Sequence, residues 1–292
     1  ISKFRDRYPF ISVDYTLQIS AQIMKKFSAE LIAKKGISDY VMLPSSLKET
    51  SVYIAAGALA EFVISEDIAF PQYAKQKGIW YSWLRQHSVT MYRVGALSDA
   101  EKQLVRTYRG LTDPRFNGRL GINNVTTSVT SAGCYALLKT DPSAWSGLAA
   151  NKPVVKPSSP TLVDGLLAGE YDIALMSGFP TAASAAKIGA PVEFLITSPS
   201  PVLYAPGGIS ILAPNPNAAR LWQDWAMSKE GMDLWTTLSG SIPSRTGIVN
   251  SWSQQQPWFF DDPTARVEID WAEFTDKQQE IVNRFKADLQ SR

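Results

Sequence analysis

The sequence is short of the residues from which metal sites and covalent chemistry are built. Its 292 residues include one cysteine, Cys134, and one histidine, His87. A lone cysteine rules out an internal disulfide, and one Cys with one His cannot make a zinc site of the usual ligand set. This leaves the compartment open, because periplasmic proteins often lack disulfides too. No run of about 18 apolar residues occurs, so no membrane-spanning helix is read. Net charge is +2 and no Lys/Arg block is present, which argues against a nucleic-acid partner. The Lys25-Lys26 and Lys34-Lys35 pairs interleave with apolar residues at helical spacing and read as a solvated helix face. There is no phosphate-loop, GxGxxG or zinc motif. The acidic pairs Glu66-Asp67 and Asp261-Asp262 sit in polar turns, which fits solvated loops better than a glycosidase pair. Cys134 lies in an apolar helical pattern with no base nearby and reads as a buried small hydrophobe. His87 reads as a structural or surface residue. No catalytic residue, metal ligand or cofactor follows from this inventory.

What is present is an ordinary globular composition, 45% hydrophobic and 19% charged, with length for about two domains. Residues 12–17 alternate with period two and predict a strand. Apolar positions 23, 24, 27, 31 and 32 predict a helix over 21–35, ended by Gly36. The run 40–43 predicts a buried parallel strand, followed by a turn at Pro44, Ser45 and Ser46 and a helix over about 50–62. Strands are predicted at 89–94, 119–122, 154–156, 173–176, 192–196 and 209–212. Helices are predicted from the hydroxyl-rich stretch 123–138, over 161–168 closed by Gly169, to Ile188, from 217, and over 270–289. The nine tryptophans mostly follow helix faces, as Trp222 and Trp225 do, or aromatic loops, and core packing is their expected role. The stretch 250–262 is aromatic and loop-like. This alternation predicts an α/β protein with mixed, mostly parallel sheets flanked by helices.

Four phrases carry a resemblance. They are LTDPRFNGRLGI at 111–122, GLLAGEYDIA at 165–174, APNPNAARLWQDWAMSKEG at 213–231, and IPSRTGI at 242–248. In the third, two prolines stop a strand, a helix follows, and Gly231 is placed to leave it. Together, in this order, they resemble the solute-binding proteins of ABC importers, especially those grouped with ferric-iron and small-anion binders. The resemblance implies the two-lobe type II periplasmic-binding-protein fold. Lobe one would take 1–90 plus 206–292, and lobe two 91–205. Two extended crossings, near Tyr92 and near 204–208, would form the hinge; Gly207 and Gly208 suit a hinge or a tight turn. Compared with that family, an N-terminal helix, a central strand and a ligand-facing loop are missing, and residues preceding Ile1 in a precursor, with a signal peptide, are expected. The implied function is capture of a small solute in the inter-lobe cleft by a periplasmic or lipid-anchored monomer, which delivers it to a membrane permease.

Open α/β sheets bind ligands beyond the carboxyl ends of their strands, often at helix N-termini. Four predicted loops qualify: Pro44, Ser45 and Ser46; the stretch 123–128, with Thr126, Thr127 and Ser128; Ser177, Gly178 and Phe179; and the stretch 200–204, ending at Tyr204. The Thr126–Ser128 group is the leading candidate, because hydroxyls and free N–H groups meet there at the positive end of a helix dipole. Plain N-capping is the alternative. Arg93 is a candidate for bidentate anion pairing or for a surface ion pair, and Arg245 is a further candidate. Tyr204 and Tyr92 either stack on the ligand or pack at the hinge. Ferric-binding relatives place adjacent tyrosines after the strand matching 173–176. Here the stretch SGFPTAA at 177–183 supplies no anionic oxygen. A small organic anion is therefore preferred over a ferric ion, with a ferric chelate as the alternative. An enzyme on the same scaffold, or the sensing half of a regulator, remain as further alternatives.

Overall fold

The computed structural model describes residues 1–16, 18, 20–45, 48–239, 241–248, 266–267 and 269–290. The chain divides into two compact units. Unit one comprises Ile1–Arg85, Tyr204–Leu238 and Ile242–Asn250; unit two comprises Gln86–Leu203, Ser239–Ser241 and Ser251–Arg292. The chain passes from unit one to unit two within one long strand and returns within another.

Unit one contains α1 (Ser2–Arg7), α2 (Ser20–Ala33), β1 (Tyr40–Met42), α3 (Lys48–Ala55), β2 (Lys75–Gln76) and the first half of β3 (Trp80–Arg93). It also takes most of β8 (Ser200–Ile209), then α9 (Pro216–Met227) and α10 (Lys229–Ser239). β1 pairs antiparallel with β8, Val41 facing Gly208, so the predicted parallel strand at 40–43 is antiparallel. Of the strand predicted at 12–17, the described residues 12–16 form none; among the described residues the period-two signal has no strand paired to it there. The helix predicted at 21–35 ends instead at Ala33, and Lys34, not Gly36, takes the left-handed conformation (φ 50°). Gly36 packs against the Leu212 backbone, where a Cβ would lie 1.7 Å from its carbonyl oxygen.

The core of unit one is aromatic. Phe4 meets Trp222 edge-on at 5.1 Å, Trp83 meets Tyr40 at 5.9 Å, and Trp83 Nε1 donates to the Tyr40 hydroxyl at 2.8 Å. Each such pair adds about 0.5–1.5 kcal/mol beyond its burial. Gly207 belongs to this cluster: a Cβ there would lie 2.2 Å from Trp83 Nε1 and 2.3 Å from the Tyr40 hydroxyl. Gly207 and Gly208 carry no positive φ and sit in β8, so close packing, not backbone freedom, requires glycine. Gly231 does not end a helix either. α9 stops at Met227, and Ser228 restarts the chain as α10, its hydroxyl accepting from the Gly231 N–H at 3.2 Å.

Unit two contains the end of β3, α4 (Asp99–Leu104), β4 (Leu120–Asn123), α5 (Ser128–Thr140), α6 (Pro142–Ala150), β5 (Val154–Lys156), α7 (Ser159–Ala168), β6 (Ile173–Gly178), α8 (Phe179–Lys187) and β7 (Val192–Leu195). After β9 (Arg266–Val267), α11 (Trp271–Phe285) runs into a π-helical turn, Lys286–Gln290. β5, β4 and β6 are parallel neighbours, while β3 joins β6 antiparallel and carries β7 along the same stretch. Gly169 closes α7 in the left-handed conformation (φ 79°), as its spacing predicts. The core gathers buried Tyr108, Phe116, Leu120, Ile122, Leu137 and Trp145. The resemblance implies that everything after 206 belongs to lobe one, but α11 packs on α5 in unit two. Phe274 meets Tyr135 edge-on at 5.4 Å, Glu273 accepts from the Tyr135 hydroxyl at 2.6 Å, and Trp145 Nε1 donates to Asp288 at 2.6 Å. The loop predicted at 250–262 lies outside the described residues.

Candidate functional site

Three parallel strands of unit two end side by side, and a helix follows each one. β4 leads through a four-residue turn to α5, β5 through Pro157 and Ser158 to α7, and β6 directly into α8. The turn after β4 is built by Asn124. Its Oδ1 accepts from the Thr126 N–H at 3.0 Å, and its carbonyl accepts from both the N–H (3.0 Å) and the hydroxyl (3.1 Å) of Thr127. The Asn124 N–H donates to Lys156 O at the end of β5.

Thr127 holds the N-cap position of α5, yet its side chain caps nothing. Its hydroxyl is committed to Asn124 O and to Thr130 Oγ1 at 2.7 Å. The plain-capping alternative for Thr127 is thereby set aside, and the first N–H groups of α5 stay open. By contrast Ser158 and Thr161 form a reciprocal capping box on α7, and Asp141 caps α6. α8 begins on Gly178, which has no side chain to cap with.

A relay of polar side chains joins these helix starts. Thr130 Oγ1 reaches Met176 O at 3.4 Å, and Asn123 Nδ2 donates to the same carbonyl at 3.0 Å and to Ser159 Oγ at 2.7 Å. Ser159 Oγ also accepts from the Gly178 N–H at 3.2 Å. Met176 presents its carbonyl because it sits in the left-handed conformation (φ 54°), where Leu175 and Met176 together oppose Thr90 of β3. For an unbranched non-glycine residue this is a strained position, of the kind held at functional sites. The groups gathered here are neutral hydroxyls and amides together with open helix N–H groups. Chemically, such a set can accept and orient an anion. Cys134 lies beneath it with Sγ 3.9 Å from Met176 Sδ, and burial pushes its thiol well above the usual range.

The structure brings together Thr127, Ser128, Ser177 and Gly178 of the sequence-predicted set, with Thr126 exposed at the tip of the turn. Ser177 is buried, and Phe179 is wholly buried against Phe194, ring centres 5.6 Å apart, so it walls the core of unit two. Arg93 does not join them. It lies at the far end of β3, beside the start of β6, where Asp172 binds it at 2.5 Å. The second Asp172 oxygen holds Arg119 Nε at 2.7 Å, and Arg119 reaches Glu101 at 2.6 Å. Burial raises the Asp172 carboxyl, but hydrogen bonds from Arg119 and Arg93 outweigh it and hold the group below its usual range. Of Arg93's two readings, ion pair is the one its contacts match. Ser45, Tyr204 and Arg245 belong to unit one, and Ser46 lies outside the described residues. Tyr204 is buried and stacks at 5.5 Å on Tyr73. Arg245 is buried, donating to Met227 O at 3.2 Å and pairing with Glu66 at 2.6 Å, so its charge is already used.

Sequence reasoning included Asn123 in the candidate loop 123–128 without giving it a role, and missed Thr130 and Ser159. Ser158-Ser159-Pro160 after a strand is a legible cap-plus-proline start, but nothing in it shows that Ser159 turns back to β4 and β6. Among the described residues no group of three or more His, Cys, Asp or Glu gathers, and no helix is long and apolar enough to cross a membrane.

No family model matches the chain. It is 31% identical over 169 residues to an uncharacterized protein of Haemophilus influenzae, a match covering 55% of this chain and 47% of that protein. The chain thus spans about half the length of the curated relative it matches. Solved structures are similar over nearly the whole chain. The substrate-binding protein of an ABC transporter from Agrobacterium tumefaciens has a TM-score of 0.78 at 15% identity, covering 96% of this chain and 89% of that one. Iron-bound HitA from Pseudomonas aeruginosa has 0.77 at 17%, covering 97% and 93%. The periplasmic binding protein AfuA from Actinobacillus pleuropneumoniae, with fructose-6-phosphate bound, has 0.74 at 16%, covering 100% and 94%. These likenesses are of fold: the chain has the α/β type II fold of periplasmic binding proteins.

Proposed function

We propose that this chain is the substrate-binding component of an ABC importer and takes a small organic anion at the polar end of unit two. One observation carries the reading. The N-terminus of α5 is uncapped although Thr127 stands in the capping position, and hydroxyls and amides surround it. Uncapped N–H groups at the positive end of a helix of this length attract a carboxylate or phosphate. The fold supports the same reading, since the similar structures are those of binding proteins. In this role the chain works as a periplasmic or lipid-anchored monomer and passes its solute to a membrane permease.

A thermal-shift screen of carboxylates, phosphates, phosphonates, sugars and ferric citrate tests it. A ligand at 100 times its Kd stabilises the folded state by about 2.7 kcal/mol, so a fitting anion raises the melting temperature by several degrees. The Thr127→Ala, Ser128→Ala double variant should then bind that anion about tenfold more weakly. No shift with any anion at millimolar concentration sinks the reading, and unchanged affinity in the double variant removes these hydroxyls from the site.

A ferric chelate is the second reading, favoured by the iron-bound neighbour. The end of β6 and the start of α8 offer Ser177, Gly178 and Phe179, none of them an anionic oxygen for hard Fe(III). A chelate that brings its own oxygens is therefore the form of iron this reading allows, and the ferric citrate arm of the screen decides it.

A further inference from the structure

The polar end of unit two is not satisfied by donors alone. Asn123 and Ser177 are wholly buried and Ser131 is 2% exposed, and Asn123 Oδ1, Ser131 Oγ and Ser177 Oγ each lack a hydrogen-bond partner. Ser131 lies in the first turn of α5, Asn123 ends β4, and Ser177 is the penultimate residue of β6. The two serine hydroxyls can donate or accept. Asn123 Oδ1 can only accept.

The orientation of that amide is fixed by chemistry. Asn123 Nδ2 lies 3.0 Å from Met176 O, a carbonyl that can only accept. Turned over, the side chain would set two oxygens against each other at that distance. Nδ2 also donates to Ser159 Oγ at 2.7 Å. Both amide protons are therefore used, and Oδ1 is held as a buried acceptor waiting for a donor. Ser159 Oγ already accepts twice, from Asn123 and from the Gly178 N–H, so its own proton is what it has left to give. The end of the sheet thus combines donors, from α5 and Ser159, with one immovable acceptor. A bare anion answers the donors and leaves the acceptor orphaned, which is costly for a buried carbonyl.

We propose that the solute is an oxyanion that carries its own O–H beside the charged oxygens, and that this O–H is donated to Asn123 Oδ1. This inference rests on the anion-binding reading above and narrows it. Two sources share the chemistry: a hydroxy-carboxylate, and a phosphate that keeps a proton at neutral pH.

Matched pairs that differ only in the O–H test it, by calorimetric titration of the whole chain. The pairs are malate against succinate, lactate against propionate, and inorganic phosphate against sulfate. In at least one pair the O–H member should bind about ten- to a hundredfold tighter, the range expected when a buried acceptor is left unpaired. The first two pairs winning points to a hydroxy-acid, the third to a protonated phosphate. Asn123→Leu should bring that ratio close to one, mainly by weakening the O–H member; circular dichroism checks its folding, and if it does not fold the wild-type ratios decide alone. Anions that bind with equal affinity within every pair would overturn the donor requirement while leaving the anion reading intact. No binding by any member would remove both.

Discussion

The two units offer hydroxyls after strands in the same sequence idiom, and among the described residues only unit two gathers these into a polar cluster. In unit one, β1 runs antiparallel to β8, and the Leu43 N–H donates to Pro206 O, so pairing continues up to the turn at Pro44 and Ser45. In unit two, three parallel strands end together, and each feeds a helix start. The rule that ligands sit beyond the carboxyl ends of strands depends on parallel neighbours, because only these put several helix N-termini at one edge. Unit one instead spends its polar groups internally. Lys75 Nζ donates to Asp67 Oδ2 at 2.8 Å, and the Tyr81 hydroxyl donates to Asp67 Oδ1 at 2.8 Å. Burial and the Asp67 carboxylate raise the Tyr81 phenol to about 12.

The sharpest way to separate the units is to strike the aromatic core of one of them. Gly207→Ala drives a methyl into the Trp83–Tyr40 hydrogen bond, 2.2 Å from Trp83 Nε1 and 2.3 Å from the Tyr40 hydroxyl. Overpacking of this kind costs about 1–3 kcal/mol. Urea unfolding followed by tryptophan fluorescence should show the loss, with anion affinity at unit two unchanged. A variant as stable as wild type would mean that glycine is kept there for its backbone, the role that the hinge reading gave it.

A smaller effect distinguishes the two kinds of helix start within unit two. Ser158→Ala removes the reciprocal box on α7, where Ser158 Oγ accepts from the Thr161 N–H and lies 3.0 Å from its hydroxyl. Loss of a cap costs about 1 kcal/mol. The uncapped start of α5 has no such contribution to lose, so anion binding and cap stability should respond to different positions. If Ser158→Ala leaves stability intact and abolishes anion binding, the open helix start is α7, and the comparison inverts.

Much of unit two was legible because local signals and tertiary structure agree there. Gly169 sits where its spacing predicts, and the strands predicted at 119–122 and 173–176 form at 120–123 and 173–178, within two residues of those bounds. Unit one was less legible for physical reasons. The alternation at 12–16 meets no partner strand among the described residues, β1 is too short for its direction to be read, and Ser228, not Gly231, breaks the helix pair. The Thr127–Ser128 stretch was visible as hydroxyls before a helix. The acceptor on Asn123 was not, since its orientation is set by Met176 O, 53 residues away in sequence. Arg93 and Arg245 show the opposite limit: a charge in a promising phrase says nothing of the carboxylate that folding brings to it.

The smallest predicted effect tests whether that charge network makes unit two the more acid-sensitive half. The Ser98 N–H, then Arg119, then the Ser98 hydroxyl hold the Glu101 carboxyl at about 2, below its ordinary 4.5. Glu273 also stands at about 2, held by Lys139 first and then by Tyr135 and Lys277. In unit one, among the described residues, only the Asp67 carboxyl is clearly lowered, with burial opposing Lys75 and Tyr81. A carboxyl lowered on folding stabilises the native state fully above its unfolded value, and the contribution is lost as pH falls through its folded value. The window here runs from about 4.5 down to about 2. Glu101→Gln should therefore cost stability at neutral pH, by no more than about 1 kcal/mol because solvent screens a pair this near the surface. The gap between variant and wild type should close as pH falls through that window. Urea midpoints measured across it decide: a gap that persists at the acid end would assign the loss to packing, and the two units would then share one acid response.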